Sequence, residues 1–132
     1  MIRKLTAEFF GTAFLLMSII GSGIMAVNLG EGDMGLALLE NSIAVGAALI
    51  VLITIFGPVS GAHFNPAVSL YFALKKELCP RECAAYIVVQ ISAAIVGAMI
   101  ANLMFDLSGV SISQTIRSSN GQWLSEFIAT FG

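Results

Sequence analysis

The chain has 132 residues, 58% of them apolar and 11% charged, with a formal net charge of −2 and a mean hydropathy of +0.94. Soluble domains carry about 25% charged residues, so this composition argues against a soluble enzyme, and the lack of a basic surplus argues against a nucleic-acid binder. The charges are also clustered: residues 9–30, 41–74 and 83–105 hold none, in runs of 22, 34 and 23 residues.

A membrane helix needs about 20 mostly apolar residues. The first run supplies one span, at roughly residues 5–27. Arg3 and Lys4 before it have the look of a signal peptide, but Glu8 interrupts the apolar stretch and the stretch is long enough to cross. Ser18, Ser22 and Ala26 recur at a spacing that lets a neighbouring helix approach closely. The polar connection Asn28-Leu29-Gly30-Glu31-Gly32-Asp33 then leads into a second span at about residues 35–56.

The 34-residue run is too long for one span and too short for two. Inside it stands Phe56-Gly57-Pro58-Val59-Ser60-Gly61-Ala62-His63-Phe64-Asn65-Pro66-Ala67-Val68. Pro58 lacks a backbone donor, and Gly57 and Gly61 weaken a helix, so the second helix is expected to stop near Phe56. The chain is then expected to be extended from Val59 to Phe64. Unpaired backbone groups cost several kcal/mol each in hydrocarbon, so such a stretch implies a wet cavity at membrane depth. Asn65-Pro66-Ala67 reads as a helix start, with Asn as cap and Pro in the first turn. That helix can run from Pro66 to about Leu74, where Lys75 and Lys76 end the re-entrant segment 57–75. At 1.5 Å per residue it is about 14 Å long, half of a bilayer core. Its positive end then faces the membrane centre, where it disfavours cations and protons. The carbonyls of Gly61, Ala62 and His63 offer acceptors, and the Asn65 amide offers a donor.

A third span follows at about residues 82–105, with Ala93, Gly97 and Ala101 spaced for close packing. Cys79 and Cys83 form no CxxC pair and have no His or Cys nearby, so they read as free thiols, with no metal site and no cofactor. An external connection occupies residues 106–122. Residues 123–132 are too short to cross a bilayer and read as the start of a fourth span. Arg3, Lys4, Lys75, Lys76 and Arg81 fall on one side of these spans, and Arg117 alone falls on the other. The positive-inside rule therefore puts the N-terminus in the cytoplasm.

Ser60-Gly61-Ala62-His63-Phe64-Asn65-Pro66-Ala67-Val68 resembles the first signature motif of the major intrinsic protein family, the aquaporins and aquaglyceroporins. Ala7-Glu8-Phe9-Phe10-Gly11-Thr12 resembles the opening of that family's first helix, and Gln90 with its small neighbours resembles the third. The resemblance implies an all-α membrane protein. It would be the first half of an aquaporin-like bundle, with three spans, one re-entrant half-helix over residues 1–122, and the start of a fourth helix. It also implies that Asn65, Pro66, Ala67, His63, Gly61 and Ala62 line a pore. Glu8 becomes a buried acceptor for loop N–H groups, with Gln90 and Glu126 as structural support. Val45, 20 residues before Asn65, matches the second-helix position of the family's selectivity filter. Water channels carry a bulky aromatic there, so Val implies glycerol-like solutes, or metalloid hydroxides such as arsenite. Further implications are a homotetramer in a lipid bilayer, at the bacterial inner membrane, and no enzymatic chemistry.

Glu8-Phe9-Phe10-Gly11-Thr12 also matches Glu126-Phe127-Ile128-Ala129-Thr130 at three of five positions. The first copy starts inside and the second outside, the pattern of an inverted repeat. The expected function is a passive channel for water and small uncharged solutes, of which this chain holds one half and reads as a fragment. One alternative is a half-size subunit that pairs with an inverted copy. Another is an ion-coupled carrier, for which Glu8 is the one clear intramembrane ionisable group.

Overall fold

A computed structural model describes residues 1–110 and 118–131. Arg117 and the middle of the expected external connection lie outside the described residues. Among the described residues the fold is all-α, with five helices: α1 (Ile2–Leu29), α2 (Met34–Ser60), α3 (Pro66–Leu74), α4 (Pro80–Met104) and α5 (Asn120–Phe131). Three of them, α1, α2 and α4, are long and apolar enough to cross a membrane.

Local chemistry sets most of the ends. Asp33 caps α2, its Oδ1 accepting from the N–H groups of Gly35 and Leu36 at 2.9 and 3.0 Å. Asn65 caps α3 in the same way, accepting from Ala67 N at 2.8 Å, and Pro66 opens the first turn. Lys75 follows the last turn of α3, where a cation complements the helix dipole. Pro80 opens α4, and Glu82 in its first turn meets Lys4 of α1 at 2.8 Å.

The second helix departs from the sequence reading. It does not stop at Phe56 but runs through Pro58 to Ser60, so residues 59 and 60 are helical rather than extended. Pro58 cannot donate to Thr54 O, but only two residues of α2 follow it, so little helix depends on that bond. What ends α2 is Gly61, at φ +90°, whose N–H bonds back to Gly57 O at 3.0 Å. This left-handed position is one that glycine adopts without steric cost.

Helix α1 packs against α2 on one side and α4 on the other, and α3 packs on α4. The α1–α4 pair is parallel, as a ladder of contacts shows: Lys4 with Glu82, Glu8 with Gln90, Ala13 with Gly97, and Gly21 with Phe105. Cys83, Tyr86, Gln90, Ala93, Gly97 and Ala101 form the buried stripe of α4 at helical spacing. A Cβ on Gly97 would stand 2.5 Å from Ala13 O and 3.0 Å from Ala13 Cα, so the two backbones nearly touch. Gly97→Ala should therefore push α1 and α4 apart and destabilise the bundle by about 1–3 kcal/mol. Thermal unfolding in detergent, followed by circular dichroism, checks this; an unchanged midpoint would contradict it. On the α1–α2 side the Ser22 hydroxyl donates to Asn41 Oδ1 at 2.7 Å. The outer faces are apolar, with Ile43, Ile50 and Ile55 of α2 and Val88, Ile95 and Leu103 of α4 exposed.

Candidate functional site

Between α2 and α3 the backbone turns through Gly61, Ala62, His63, Phe64 and Asn65. Three of these, Gly61, Ala62 and Phe64, have positive φ, at +90°, +50° and +49°. For the two non-glycine residues this conformation is unfavourable by about 1–2 kcal/mol each, so something outside the loop must impose it.

That constraint is a set of N–H acceptors. Ala62 N donates to Ser60 Oγ at 3.1 Å, His63 N to Glu8 Oε1 at 3.0 Å and Phe64 N to Glu8 Oε2 at 2.8 Å. Glu8 is 0% exposed and accepts two further bonds, from Ser60 Oγ at 2.6 Å and Gln90 Nε2 at 2.8 Å. Each carboxylate oxygen thus serves two donors. The Tyr86 hydroxyl adds a bond to Ser60 O at 2.9 Å. Gln90 Nε2 also donates to Ser69 Oγ at 3.0 Å, and Ser69 Oγ stands 3.0 Å from His63 Nδ1. The His63 ring is stacked on Phe72 and set edge-on to Tyr86, with centroids 4.7 and 5.3 Å away. One buried polar group therefore ties α1, α3 and α4 to the loop.

The N–H groups of residues 61–64 are committed in this way, and the Asn65 carbonyl accepts from Ser69 N at 3.1 Å. Among the described residues no hydrogen bond reaches the carbonyl of Gly61, Ala62 or His63. Asn65 Oδ1 is used by the α3 cap, while its Nδ2 has no partner there and the residue is exposed. A groove of about 390 Å³ runs along this edge. Its walls are Leu15 of α1, Leu49 and Ile53 of α2, residues 62–65, and Val68 of α3. The walls are largely apolar, so the few polar atoms presented to the groove dominate what it can bind.

The residues singled out from the sequence divide as follows. Ala62, His63 and Asn65 line the groove, Pro66 and Ala67 form the first turn of α3 beside it, and Gly61 ends α2. Val45 lies one helical turn from Leu49 on α2, on the face that Leu49 and Ile53 present to the groove. Glu8 and Gln90 are bonded directly to each other. Glu126 lies exposed on α5 and takes no part in this group. The sequence reading missed Ser60, Ser69 and Tyr86. Their signal was available: Tyr86 and Gln90 are four apart in α4, and a Ser in each of two apolar helices flanks the loop.

The sequence profile described as Major intrinsic protein matches residues 1–132. An aquaglyceroporin, AqpS, of Rhizobium meliloti (strain 1021) is 53% identical over 98% of this chain and 55% of its own length. Aquaporin Z of Brucella melitensis is 38% identical over 76% of this chain and 43% of its own. A probable aquaporin, NIP4-2, of Arabidopsis thaliana is 34% identical over 98% of this chain and 45% of its own. The chain spans about half the length of the curated relatives it matches.

Proposed function

Since the chain belongs to the major intrinsic protein family, an integral membrane family, we propose that it forms one half of a passive pore for water and small uncharged solutes. The observation that carries this reading is the row of unpartnered acceptors on Gly61, Ala62 and His63 ending at the free Asn65 amide. A permeating molecule that leaves bulk water needs replacement partners at short intervals, and this edge offers them in sequence. The α3 helix starts at the same point with its positive end, which opposes cations; half-helix dipoles and an Arg perform this task in aquaporin-type pores.

In this reading residues 61–74 are re-entrant and α1, α2 and α4 are the spans. The N-terminus is cytoplasmic: the Lys4–Glu82 ion pair sets the starts of α1 and α4 at one end, beside Arg3 and Arg81. The setting is the bacterial inner membrane, and the assembly a homotetramer. The Asn65, Pro66, Ala67 and His63 side of the groove forms the pore wall, with Val45 outward of Leu49. Val45 is smaller than an aromatic ring, which favours glycerol-like solutes and metalloid hydroxides, and the aquaglyceroporin name of the Rhizobium relative supports this. An ion-coupled carrier is disfavoured because Glu8 is fully buried and saturated by four donors.

The test is stopped-flow light scattering on proteoliposomes that contain the intact gene product. Water and glycerol permeabilities should both exceed those of empty vesicles. Arsenite influx should do the same. No increase, or a solute flux that follows an imposed proton gradient, would overturn the reading.

A further inference from the structure

We propose that Gly11 is a positioning residue for the pore: its missing side chain is the notch that seats Phe64, and so sets where the Asn65 amide stands in the groove. The inference rests on the pore reading above.

A Cβ built on Gly11 would overlap Cε1 and Cζ of the Phe64 ring and lie 2.6 Å from Cδ1. The ring thus occupies the space that any other residue at position 11 would fill. Phe64 is 5% exposed, and its ring is also edge-on to Phe56, with centroids 6.0 Å apart. Gly11 follows Glu8 by three residues and precedes Leu15 by four, so the three share one face of α1. Along that face Glu8 holds the backbone of His63 and Phe64, Gly11 receives the Phe64 side chain, and Leu15 walls the groove. The loop is therefore held at two points one turn apart, which fixes its rotation as well as its depth.

The backbone at Phe64 leaves little freedom to absorb a displaced ring. It lies at φ +49°, in a narrow allowed region, and its N–H is bonded to Glu8. A methyl group at position 11 must move the ring, and the open side is the groove that Phe64 already lines. The peptide to Asn65 turns with it. The consequence is a narrower passage and a shifted amide, not merely a looser loop.

The test is a double-mutant cycle on the intact gene product with Gly11→Ala, Phe64→Ala and the pair. Phe64→Ala removes the three ring atoms that lie nearest the new methyl. Gly11→Ala should lower the glycerol-to-water permeability ratio about fivefold, within the range that contacting pairs show. In the Phe64→Ala background the same change should leave the ratio nearly unaltered. Amide hydrogen exchange at His63 and Phe64 in detergent reads the same coupling without flux: Gly11→Ala should speed it about tenfold, and only when Phe64 is present. If the parent protein passes neither water nor solute, the pore reading fails, and the exchange cycle still decides the Gly11–Phe64 coupling. If Gly11→Ala does not fold, the double variant should. Equal effects of Gly11→Ala in both backgrounds, or failure of both variants to fold, would overturn the proposal.

Discussion

Glu8→Gln is expected to destabilise the chain by about 3–5 kcal/mol, through lost and orphaned hydrogen bonds, and to abolish permeation. The carboxylate is 0% exposed, and each oxygen accepts two hydrogen bonds. An amide keeps the shape but turns one oxygen into a donor. Pointed at Phe64 and Gln90, the new NH₂ faces two donors. Pointed at Ser60 and His63, it fares better, because the Ser60 hydroxyl can turn towards Phe56 O, 3.4 Å away. The His63 N–H is still orphaned, and every remaining bond loses the assistance of charge. Bonds to charged groups are worth about 1.5–3 kcal/mol each, and an unsatisfied buried N–H costs about 1–3 kcal/mol. Against a total stability of about 5–15 kcal/mol such a loss is large. It also falls on the segment that holds Ala62 and Phe64 at positive φ. Thermal unfolding in detergent and proteoliposome permeability measure the two effects. A glutamine variant with the parent's midpoint and flux would show that the loop keeps its shape without the carboxylate.

Much of the architecture is legible in the sequence because bilayer physics leaves few solutions. Charge-free runs of sufficient length give α1, α2 and α4, and Asn65-Pro66 followed by Lys75 is a local statement of where a short helix begins and ends. The end of α2 is misread because Pro58 carries a strong general prejudice that its place in the last helical turns cancels. The residue that does end the helix is Gly61, which in the sequence stands beside Pro58 and Gly57 as one helix-weakening residue among three, and only its left-handed backbone distinguishes it. The polar group around Glu8 is legible only in part. Glu8 and Gln90 each stand out in an apolar helix, but their 2.8 Å bond joins residues 82 apart in the chain, and no local pattern encodes such a pair. The seating of Phe64 on Gly11 is illegible for the same reason: it depends on which face of α1 the loop meets, a property of the packing.

Asn65→Asp separates two roles that one side chain performs, and it should reduce permeation while leaving the fold intact. Oδ1 of Asn65 accepts the Ala67 N–H at 2.8 Å, and aspartate can make the same bond. Asp is as good a helix cap as Asn. Its charge at the positive end of α3 is favourable by about 0.3–1 kcal/mol. Stability should therefore be unchanged or slightly higher. The groove, however, loses the free Asn65 amide donor and gains an anion beside Ala62 and His63. A solute that relied on the amide loses a hydrogen bond worth about 1–3 kcal/mol in a desolvated setting. With 1.36 kcal/mol per decade of rate, that is a fall of about 5–150-fold in water and glycerol permeability. Asn65→Ala removes cap and donor together, and should add a stability loss of about 1 kcal/mol to a similar permeation defect. Comparing the two variants by thermal unfolding and by stopped-flow light scattering assigns the cap and the donor independently. Parent-like permeability in the aspartate variant would take the Asn65 amide out of the conduction path and leave it a role in capping α3 alone.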